Sequence, residues 1–300
     1  MEALRVIGVD VGGTKTLAAV VDRQGEIEEQ VINATDVSSQ DALLAGLDAI
    51  VEEARGGREI AALGFGIPSR VDQRSGRAVA SVNIPLAGVD FRDRMRERHG
   101  LPVGIDNDAN AATMGEWHAG AAKGVRNVVM LTLGTGVGGG LILDGRPFRG
   151  TTGVGAELGH IVIGLDGPPC SCGGHGHLES YASGRVADRA ARELYGEGSD
   201  GHELVTKAKE GDAKAVEALA EIGRHLGAGI TSLVNVFEPE VVVVGGGFGS
   251  SAGELLLGPA REVVAVEGLE PLRHTVRIVP AQLGFHAGVI GAAMVGFEAL

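Results

Sequence analysis

Cysteine is nearly absent from this chain of 300 residues, which has only two, Cys170 and Cys172. A disulfide across one intervening residue would be strained, and reduced thiols are typical of proteins kept inside the cell. Apolar runs are also short. None approaches the roughly 18 residues of a membrane-spanning helix, and no basic segment followed by an apolar stretch opens the chain. We therefore expect a soluble, cytoplasmic protein with no membrane partner.

Positive charge is scarce as well. There are 26 lysines and arginines against 39 aspartates and glutamates, which gives a formal net charge of −13. Nucleic-acid-binding domains carry a basic face that neutralises phosphates, so this balance predicts no nucleic-acid partner. A single nucleotide is not excluded, because converging backbone N–H groups and Mg²⁺ can bind an anion whatever the net charge.

Glycine, by contrast, is abundant, with 50 positions, and 44% of the chain is hydrophobic, enough for a large core divided between two lobes. A strand, a glycine turn and a returning strand are predicted at residues 6–22, and the pattern returns at residues 128–144. Because each pattern opens an α/β segment, the sequence predicts a duplicated α/β architecture. Residues 68–88 are predicted to form a loop. No linker or low-complexity segment stands out, which favours lobes joined by a hinge.

The first glycine turn carries polar groups suited to a nucleotide. Asp10 ends the first strand, where it could hold Mg²⁺ through waters. Gly12 and Gly13 could offer backbone amides, and Thr14 and Lys15 could contact phosphate oxygens. The alternative is an ordinary hairpin turn, for which Gly-Gly is a common solution. The segment is not a Walker A loop, because the Gly-Lys-Ser/Thr sequence after four spacer residues is missing.

A second glycine segment, residues 134–140, lies between two apolar strands. A phosphate cradle needs small residues with converging N–H groups, here Gly134 and Gly136, and a hydroxyl such as that of Thr135. The alternative is a flexible connector, which the strands on both sides disfavour.

An acidic segment precedes a helix predicted at residues 109–120. Phosphoryl transfer to an alcohol requires a carboxylate that accepts the hydroxyl proton. Asp108 is the candidate for that base, with Asn107 orienting the acceptor. Helix capping requires the same residue types at the same place. The segment alone does not decide between the two interpretations.

The strongest signal is a group of metal-ligand residues. His160, Cys170, Cys172 and His177 fall within 18 positions. Two thiols and two imidazoles suit tetrahedral zinc, with His175 as a competitor for the fourth place. Unliganded thiols are the alternative. Four protein ligands leave no open coordination position, so we expect the zinc to be structural.

Together these segments resemble the ROK family of bacterial sugar kinases and related repressors, nearly from end to end. The segments that carry the resemblance are residues 10–15, 107–110, 134–140, 157–160, 170–176 and 282–293. The resemblance implies a two-lobed α/β fold, the actin-like (ribonuclease H-like) ATPase fold, with the active site in the cleft between the lobes. The implied lobes are residues 1–108, joined by the C-terminal helix near 287–300, and residues 109–286 with the zinc-binding loop.

The resemblance also implies roles for single residues. It makes Asp108 the base for the 6-hydroxyl of the sugar, and it places His160 at both the sugar and the zinc. The sugar-binding residues that it implies are Asn83, Asn107, Asp108, Glu157, His160 and Glu179, and the implied adenosine-binding turn is Gly245, Gly246 and Gly247. The chain departs from the family at His177, where a third cysteine is usual, and after Asn83, where a tryptophan is often found.

The implied activity is ATP-dependent phosphorylation of a hexose at the 6-hydroxyl, with Mg²⁺ as cofactor and glucose as the first expected substrate. The alternative sugars are N-acetylmannosamine, N-acetylglucosamine, mannose, fructose and allose, and the alternative donors are ADP and polyphosphate. A sugar-responsive ROK repressor is disfavoured, because only nine residues precede Asp10, where such repressors carry a helix-turn-helix domain. A noncatalytic binding module is disfavoured because Asp10 and Asp108 are both present. The family further implies a homodimer or homotetramer.

Overall fold

The computed structural model describes residues 4–81 and 83–300. The chain divides into two compact units. The first unit consists of the described part of Met1–Gly124 together with Pro147–Ala156 and Phe285–Leu300, and the second consists of Val125–Arg146 and Glu157–Gly284. Among the described residues, no helix combines the length and the apolar composition that crossing a bilayer requires.

Strands and helices alternate along both units. The strands are β1 (Val6–Val11), β2 (Lys15–Val21), β3 (Ile27–Ala34), β4 (Ala62–Ile67), β5 (Ser69–Asp72), β6 (Arg77–Ser81), β7 (Val103–Asn107), β8 (Val128–Leu133), β9 (Val137–Leu143), β10 (Arg146–Pro147), β11 (Val241–Gly245) and β12 (Arg277–Pro280). The helices are α1 (Gln40–Arg55), α2 (Phe91–His99), α3 (Asp108–Ala119), α4 (Glu179–Ala182), α5 (Gly184–Tyr195), α6 (Gly201–Lys209), α7 (Ala213–Phe237), α8 (Gly246–Ala252), α9 (Glu254–Glu267), α10 (Leu272–Thr275) and α11 (Ala287–Phe297).

Each unit is built on a five-stranded sheet, and the two sheets share one strand order. In the first unit the order is β3-β2-β1-β4-β7, with β2 antiparallel to β1 and β3, and with β4 and β7 parallel to β1. In the second unit the order is β10-β9-β8-β11-β12, with β9 antiparallel to β8, and with β11 and β12 parallel to β8. The repeated order confirms the duplicated α/β architecture predicted from the two glycine hairpins.

A row of three glycines crosses the first sheet, and helix α11 packs against this row. Gly8, Gly64 and Gly104 lie opposite one another in β1, β4 and β7. A Cβ atom on any of the three would overlap a backbone carbonyl oxygen of α11; for Gly64 this is the oxygen of Ala292. The missing side chains therefore let the helix lie directly against the strands. As a result, α11 is buried along almost its whole length.

Helix α3 contacts α11 by the same means. A Cβ atom on Gly115 would overlap the carbonyl oxygen of Ala287, and one on Gly291 would overlap that of Ala111. This close packing places α3 in the first unit, which therefore extends past the lobe boundary predicted at residue 108. The boundaries of the functional lobes stay a prediction.

The helix predicted at residues 109–120 is confirmed as α3, with both ends within one residue of the prediction. Helix α1 begins after Ser39, whose Oγ accepts a hydrogen bond from the N–H of Ala42 at 3.1 Å. The prediction of a loop at residues 68–88 is wrong, because this segment contains the hairpin β5–β6. Its strands are too short to give a clear alternating pattern. Helix α9 has no clear signal in the sequence, because it contains Gly-Pro at residues 258–259, a pair typical of turns.

Candidate active site and metal centre

The turn between β1 and β2 brings the first set of predicted nucleotide-binding residues together. The N–H of Gly12 donates to the carbonyl oxygen of Lys15 at 2.9 Å, which closes the turn as in an ordinary hairpin. This amide is already engaged, so phosphate contacts would fall to Gly13, Thr14 and Lys15, which are exposed. Asn83 is also exposed and lies beside Gly13, where an added Cβ atom would be 3.9 Å from the Cβ atom of the asparagine.

Asp10 and Asp108 form an acidic pair in the first unit. Removal of the Asp10 carboxyl from water, followed by repulsion from Asp108, raises the pKa of Asp10 to about 7. Gly288 leaves space for this carboxyl, since a Cβ atom at that position would overlap it. Two neighbouring carboxylates attract a divalent cation, and Mg²⁺ prefers oxygen ligands of this kind. The residues present therefore fit the predicted Mg²⁺.

The raised pKa of Asp10 has a measurable effect on stability. The folded chain binds more protons at Asp10 than the unfolded chain between the ordinary pKa of 3.8 and about 7. Its contribution to stability is therefore most favourable at low pH and is lost as the pH rises through this interval. We expect Asp10→Asn, which cannot ionise, to show a smaller loss of unfolding free energy between about pH 5 and 8. Urea denaturation measures this slope, and Asp93→Asn, an exposed change, should keep it.

The segment with the predicted base lies where β7 meets α3. Asn107 caps the helix: its Oδ1 accepts hydrogen bonds from the N–H groups of Ala109 at 2.9 Å and Asn110 at 3.3 Å. Its Nδ2 lies 3.4 Å from the carbonyl oxygen of Ser69. The capping interpretation therefore describes Asn107 in this structure, and its role toward an acceptor stays a prediction. Asp108 is the first residue of α3, so the helix fixes the backbone of the candidate base.

The residue that starts this segment, Asp106, is a fully buried carboxylate. Its Oδ1 accepts hydrogen bonds from the N–H of Asn107 at 2.8 Å and from Nδ2 of Asn110 at 3.0 Å. Its Oδ2 pairs with Nε of Arg149 at 2.5 Å, and Nη2 of Arg149 donates to Glu298 at 2.7 Å. This network holds the start of α3. Sequence reasoning missed it, because no local pattern connects the two partners of the ion pair.

Removing the cation from this network should destabilise the protein. We expect Arg149→Met to lower the unfolding free energy by about 3–5 kcal/mol, because Asp106 would remain buried without its counter-ion. The double variant Asp106→Asn/Arg149→Met should recover part of the loss. As a control, Arg126→Met breaks the exposed ion pair with Asp144 and an exposed hydrogen bond to the carbonyl oxygen of the same residue, and it should change stability little. Urea denaturation compares the variants, and equal losses for Arg149→Met and Arg126→Met would contradict the prediction.

In the second unit the structure brings two glycine segments together. Gly134 follows β8, and its carbonyl oxygen accepts a hydrogen bond from the N–H of Gly184 at 2.8 Å. Gly246 has a φ of 82° and lies against Leu133, the residue before Gly134, so closely that a Cβ atom would overlap its backbone. The predicted adenosine-binding turn, residues 245–247, is thus the junction between β11 and α8. It lies beside the predicted phosphate cradle.

Glu179 lies against that cradle. Its Oε2 accepts a hydrogen bond from the N–H of Val137 at 3.0 Å, and a Cβ atom on Gly136 would overlap its carboxylate. The glycine at position 136 therefore makes room for Glu179. Thr135 is exposed next to it. A predicted sugar ligand and the predicted phosphate-binding residues are neighbours within this unit.

Glu157 and His160 lie at either end of one short 3₁₀ turn. Nε2 of His160 is 3.8 Å from Oε2 of Glu157, and Nδ1 of the same ring is 3.7 Å from Sγ of Cys170. One ring nitrogen therefore faces a predicted sugar ligand while the other faces a predicted metal ligand. A double role of His160 at sugar and zinc requires this arrangement.

The four predicted zinc ligands form one cluster. The candidate ligand atoms of His160, Cys170, Cys172 and His177 all lie within 4.8 Å of one another. The two sulfur–nitrogen pairs measure 3.7 Å for Cys170–His160 and 3.2 Å for Cys172–His177. Around a tetrahedral zinc ion, sulfur and nitrogen ligands are about 3.6 Å apart. The residues present therefore fit zinc.

The cluster leads to a prediction about metal content. We expect the purified protein to hold one zinc ion per chain and to lose it in Cys172→Ser. Chelation should lower the melting temperature, because metal binding contributes directly to folding free energy. His175→Ala is the matched control and should keep the metal, since His175 pairs with Pro169 through its backbone and lies outside the cluster. Elemental analysis measures the zinc content of each variant. A zinc-free wild type, or zinc retained in Cys172→Ser, would contradict the assignment.

Residues 6–297 match the family model of ROK. The chain belongs to the ROK family. This ROK protein is 38% identical over 307 residues to a glucokinase of Streptomyces coelicolor, with 96% of each chain covered. It is also similar to the crystal structure of a ROK family glucokinase from Streptomyces griseus in complex with glucose and AMPPNP. That match has 36% identity and a TM-score of 0.86, and covers 98% of this chain and 99% of that one.

A second solved structure, the ROK hexokinase of Thermus thermophilus, matches at 35% identity with a TM-score of 0.86, covering 98% of both chains. These similarities confirm the fold class predicted from the sequence. The ROK protein has the mixed α/β architecture of the ROK sugar kinases, which is the actin-like ATPase fold, with one five-stranded sheet in each unit.

Proposed function

We propose that this ROK protein is an ATP-dependent glucokinase, which converts glucose and ATP into glucose 6-phosphate and ADP. The observation that carries the proposal is the similarity over 98% of the chain to the Streptomyces griseus glucokinase, whose crystal structure contains glucose and AMPPNP. The acidic pair of the first unit and the groups around Glu179 in the second supply the polar chemistry that this reaction needs.

Asp108 is the proposed general base. Its carboxylate accepts the proton of the 6-hydroxyl as that oxygen attacks the γ-phosphorus of ATP. A new oxygen–phosphorus bond forms, the bond from the γ-phosphorus to the β,γ-bridging oxygen breaks, and ADP leaves with that electron pair. Because Asp108 is the first residue of α3, the carboxylate starts from a fixed backbone position, which favours a productive geometry.

Sugar hydroxyls need both acceptors and donors, and the proposed ligands supply both. Glu157 and Glu179 accept hydrogen bonds through their carboxylates, and His160 offers its Nε2. Asn83 contributes an amide, and Asn107 contributes the donor capacity of its Nδ2, because the two capping bonds already occupy its Oδ1.

The remaining groups serve the nucleotide and the metals. Mg²⁺ bound with ATP would neutralise phosphate charge, and Asp10 is proposed to hold the ion through water molecules. Gly13, Thr14 and Lys15 are proposed to contact phosphates, together with residues 134–136. Residues 245–247 are proposed to bind the adenosine. Zinc in the cluster of His160, Cys170, Cys172 and His177 is proposed to be structural, since four protein ligands leave no coordination position for substrate.

The proposal is tested by a coupled ADP-release assay with Mg-ATP against a panel of hexoses and N-acetylhexosamines. Strong turnover with glucose and little with N-acetyl sugars supports the glucokinase. Preference for N-acetylmannosamine, N-acetylglucosamine, mannose, fructose or allose would keep the mechanism and change the substrate. Polyphosphate and ADP replace ATP in parallel reactions to test the donor. No turnover with any pair, in folded protein, would contradict a kinase of hexoses.

We further propose a cytoplasmic homodimer or homotetramer. Light scattering of the purified protein during size-exclusion chromatography measures the mass, and a monomer at all concentrations would contradict this.

A further inference from the structure

The carboxylate of Glu179 is fixed at both of its oxygens. Oε2 accepts a hydrogen bond from the N–H of Val137 at 3.0 Å, as described above. Oε1 accepts one from Oγ of Ser171 at 2.9 Å. A carboxylate with one donor on each oxygen has a defined plane, whereas a carboxylate with one donor can rotate about its terminal torsion. Ser171 therefore decides how Glu179 presents its remaining lone pairs.

The position of Ser171 is in turn fixed by its neighbours in the chain. It lies between Cys170 and Cys172, which both belong to the metal cluster. The turn around it is closed by hydrogen bonds from the N–H of Cys170 to the carbonyl oxygen of Gly174 at 2.8 Å and from the N–H of Gly173 to that of Cys170 at 3.0 Å. Metal bound by the two cysteines would hold the backbone on both sides of the serine.

The metal also changes what Glu179 meets in this loop. Sγ of Cys170 lies 3.7 Å from Oε1 of Glu179, a contact in which a thiol could donate. A cysteine that binds metal is a thiolate and has no proton to donate. In the metal-bound protein Cys170 would therefore donate no hydrogen bond to Glu179. The hydroxyl of Ser171 still donates to that oxygen.

We propose that Ser171 is a positioning residue for sugar binding, whose hydroxyl holds the carboxylate of Glu179 in the orientation that receives a sugar hydroxyl. This inference rests on the proposed function, in which Glu179 binds the sugar. It links the metal cluster to the sugar through one side chain that binds neither. Loss of the hydroxyl should weaken glucose binding about three- to tenfold, the effect of one ordinary hydrogen bond, because the bond between Ser171 and Glu179 is exposed to solvent.

The test compares Ser171→Ala and Ser171→Thr with the wild type. Glucose affinity is measured by calorimetry without nucleotide, and zinc content, melting temperature, KM and kcat are measured on the same preparations. We expect Ser171→Ala to raise both the Kd and the KM for glucose about three- to tenfold, with kcat within about twofold of the wild type and with zinc and melting temperature unchanged. Ser171→Thr, which keeps the hydroxyl, should restore the affinity.

A matched control comes from the same loop. Ser180→Ala removes a hydroxyl that donates to the carbonyl oxygen of Pro169 at 3.2 Å, and it should leave glucose affinity unchanged. Wild-type affinity in Ser171→Ala would overturn the proposal, and so would loss of zinc, which would make the serine part of the metal site.

A crystal structure of zinc-bound Ser171→Ala gives a readout that does not depend on activity. We expect the Oε1 atom of Glu179 to have turned away from its place beside residue 171, and an unmoved carboxylate would overturn the proposal. Wild-type protein that binds no hexose would contradict the proposed function, and with it the sugar-binding role of Glu179.

Discussion

Replacing Asp108 by asparagine is expected to lower kcat for glucose phosphorylation by about 10²–10⁴-fold, the usual contribution of a general base. The amide keeps the size and hydrogen-bonding capacity of the side chain but cannot accept the proton of the 6-hydroxyl. Glucose affinity should change much less than kcat, because Asn83, Glu157 and His160 would still bind the sugar. Steady-state kinetics and calorimetry on the same preparation separate the two effects.

The matched control for this variant is Asp41→Asn. Asp41 is also an aspartate in the first turn of a helix, in α1, and it is exposed. Loss of its charge should cost only the small interaction of an acid with a helix N-terminus and leave kcat unchanged. If Asp108→Asn were folded, bound glucose and turned over at a rate near that of the wild type, Asp108 could not be the base.

Replacing Gly64 by alanine is expected to cause a large loss of stability. The added Cβ atom would overlap the carbonyl oxygen of Ala292, which is backbone and cannot rotate away as a side chain would. Overpacking in a filled core costs about 1–3 kcal/mol and more where the backbone must move, so we expect at least the upper end of that range. The variant would force α11 away from the first sheet.

Gly46→Ala makes the same chemical change with the opposite expected result. Gly46 lies inside α1, is exposed, and has no heavy atom within 4 Å of the position of an added Cβ atom. Alanine is favoured over glycine in a helix by about 0.8–1.0 kcal/mol, so this variant should be more stable than the wild type. Urea denaturation of the two variants gives shifts of opposite sign if the glycine row acts as described, whereas two shifts of the same sign would contradict it.

The features that could be predicted from the sequence are those contained in short segments. The candidate metal ligands from His160 to His177 lie in one loop, so their spacing already limits how far apart they can be, and the structure brings them into one cluster. Each of the two glycine hairpins marks the start of an α/β segment, and the structure places one hairpin in the sheet of each unit. The start of α3 could be predicted because asparagine, here Asn107, is a strong capping residue.

Features that depend on sheet order could not be predicted. The sequence shows Gly8, Gly64 and Gly104, but not that they share one row, because strands β1, β4 and β7 become neighbours only once the sheet is assembled. The ion pair of Asp106 with Arg149 joins residues 43 positions apart, and nothing in the local pattern of either one indicates its partner. Such pairings are set by tertiary packing and not by local propensity.

The segment Pro147–Ala156 belongs to the first unit, although the chain on both sides of it belongs to the second. Helix α11 likewise returns to the first unit from the far end of the chain. No single exchange point therefore recombines this protein with a relative while keeping both units whole. A chimaera that takes its first unit from another kinase has to transfer three separate segments together. If the segments are not transferred together, Asp106 and Arg149 come from different parent proteins. The glycine row and helix α11 likewise come from different parents.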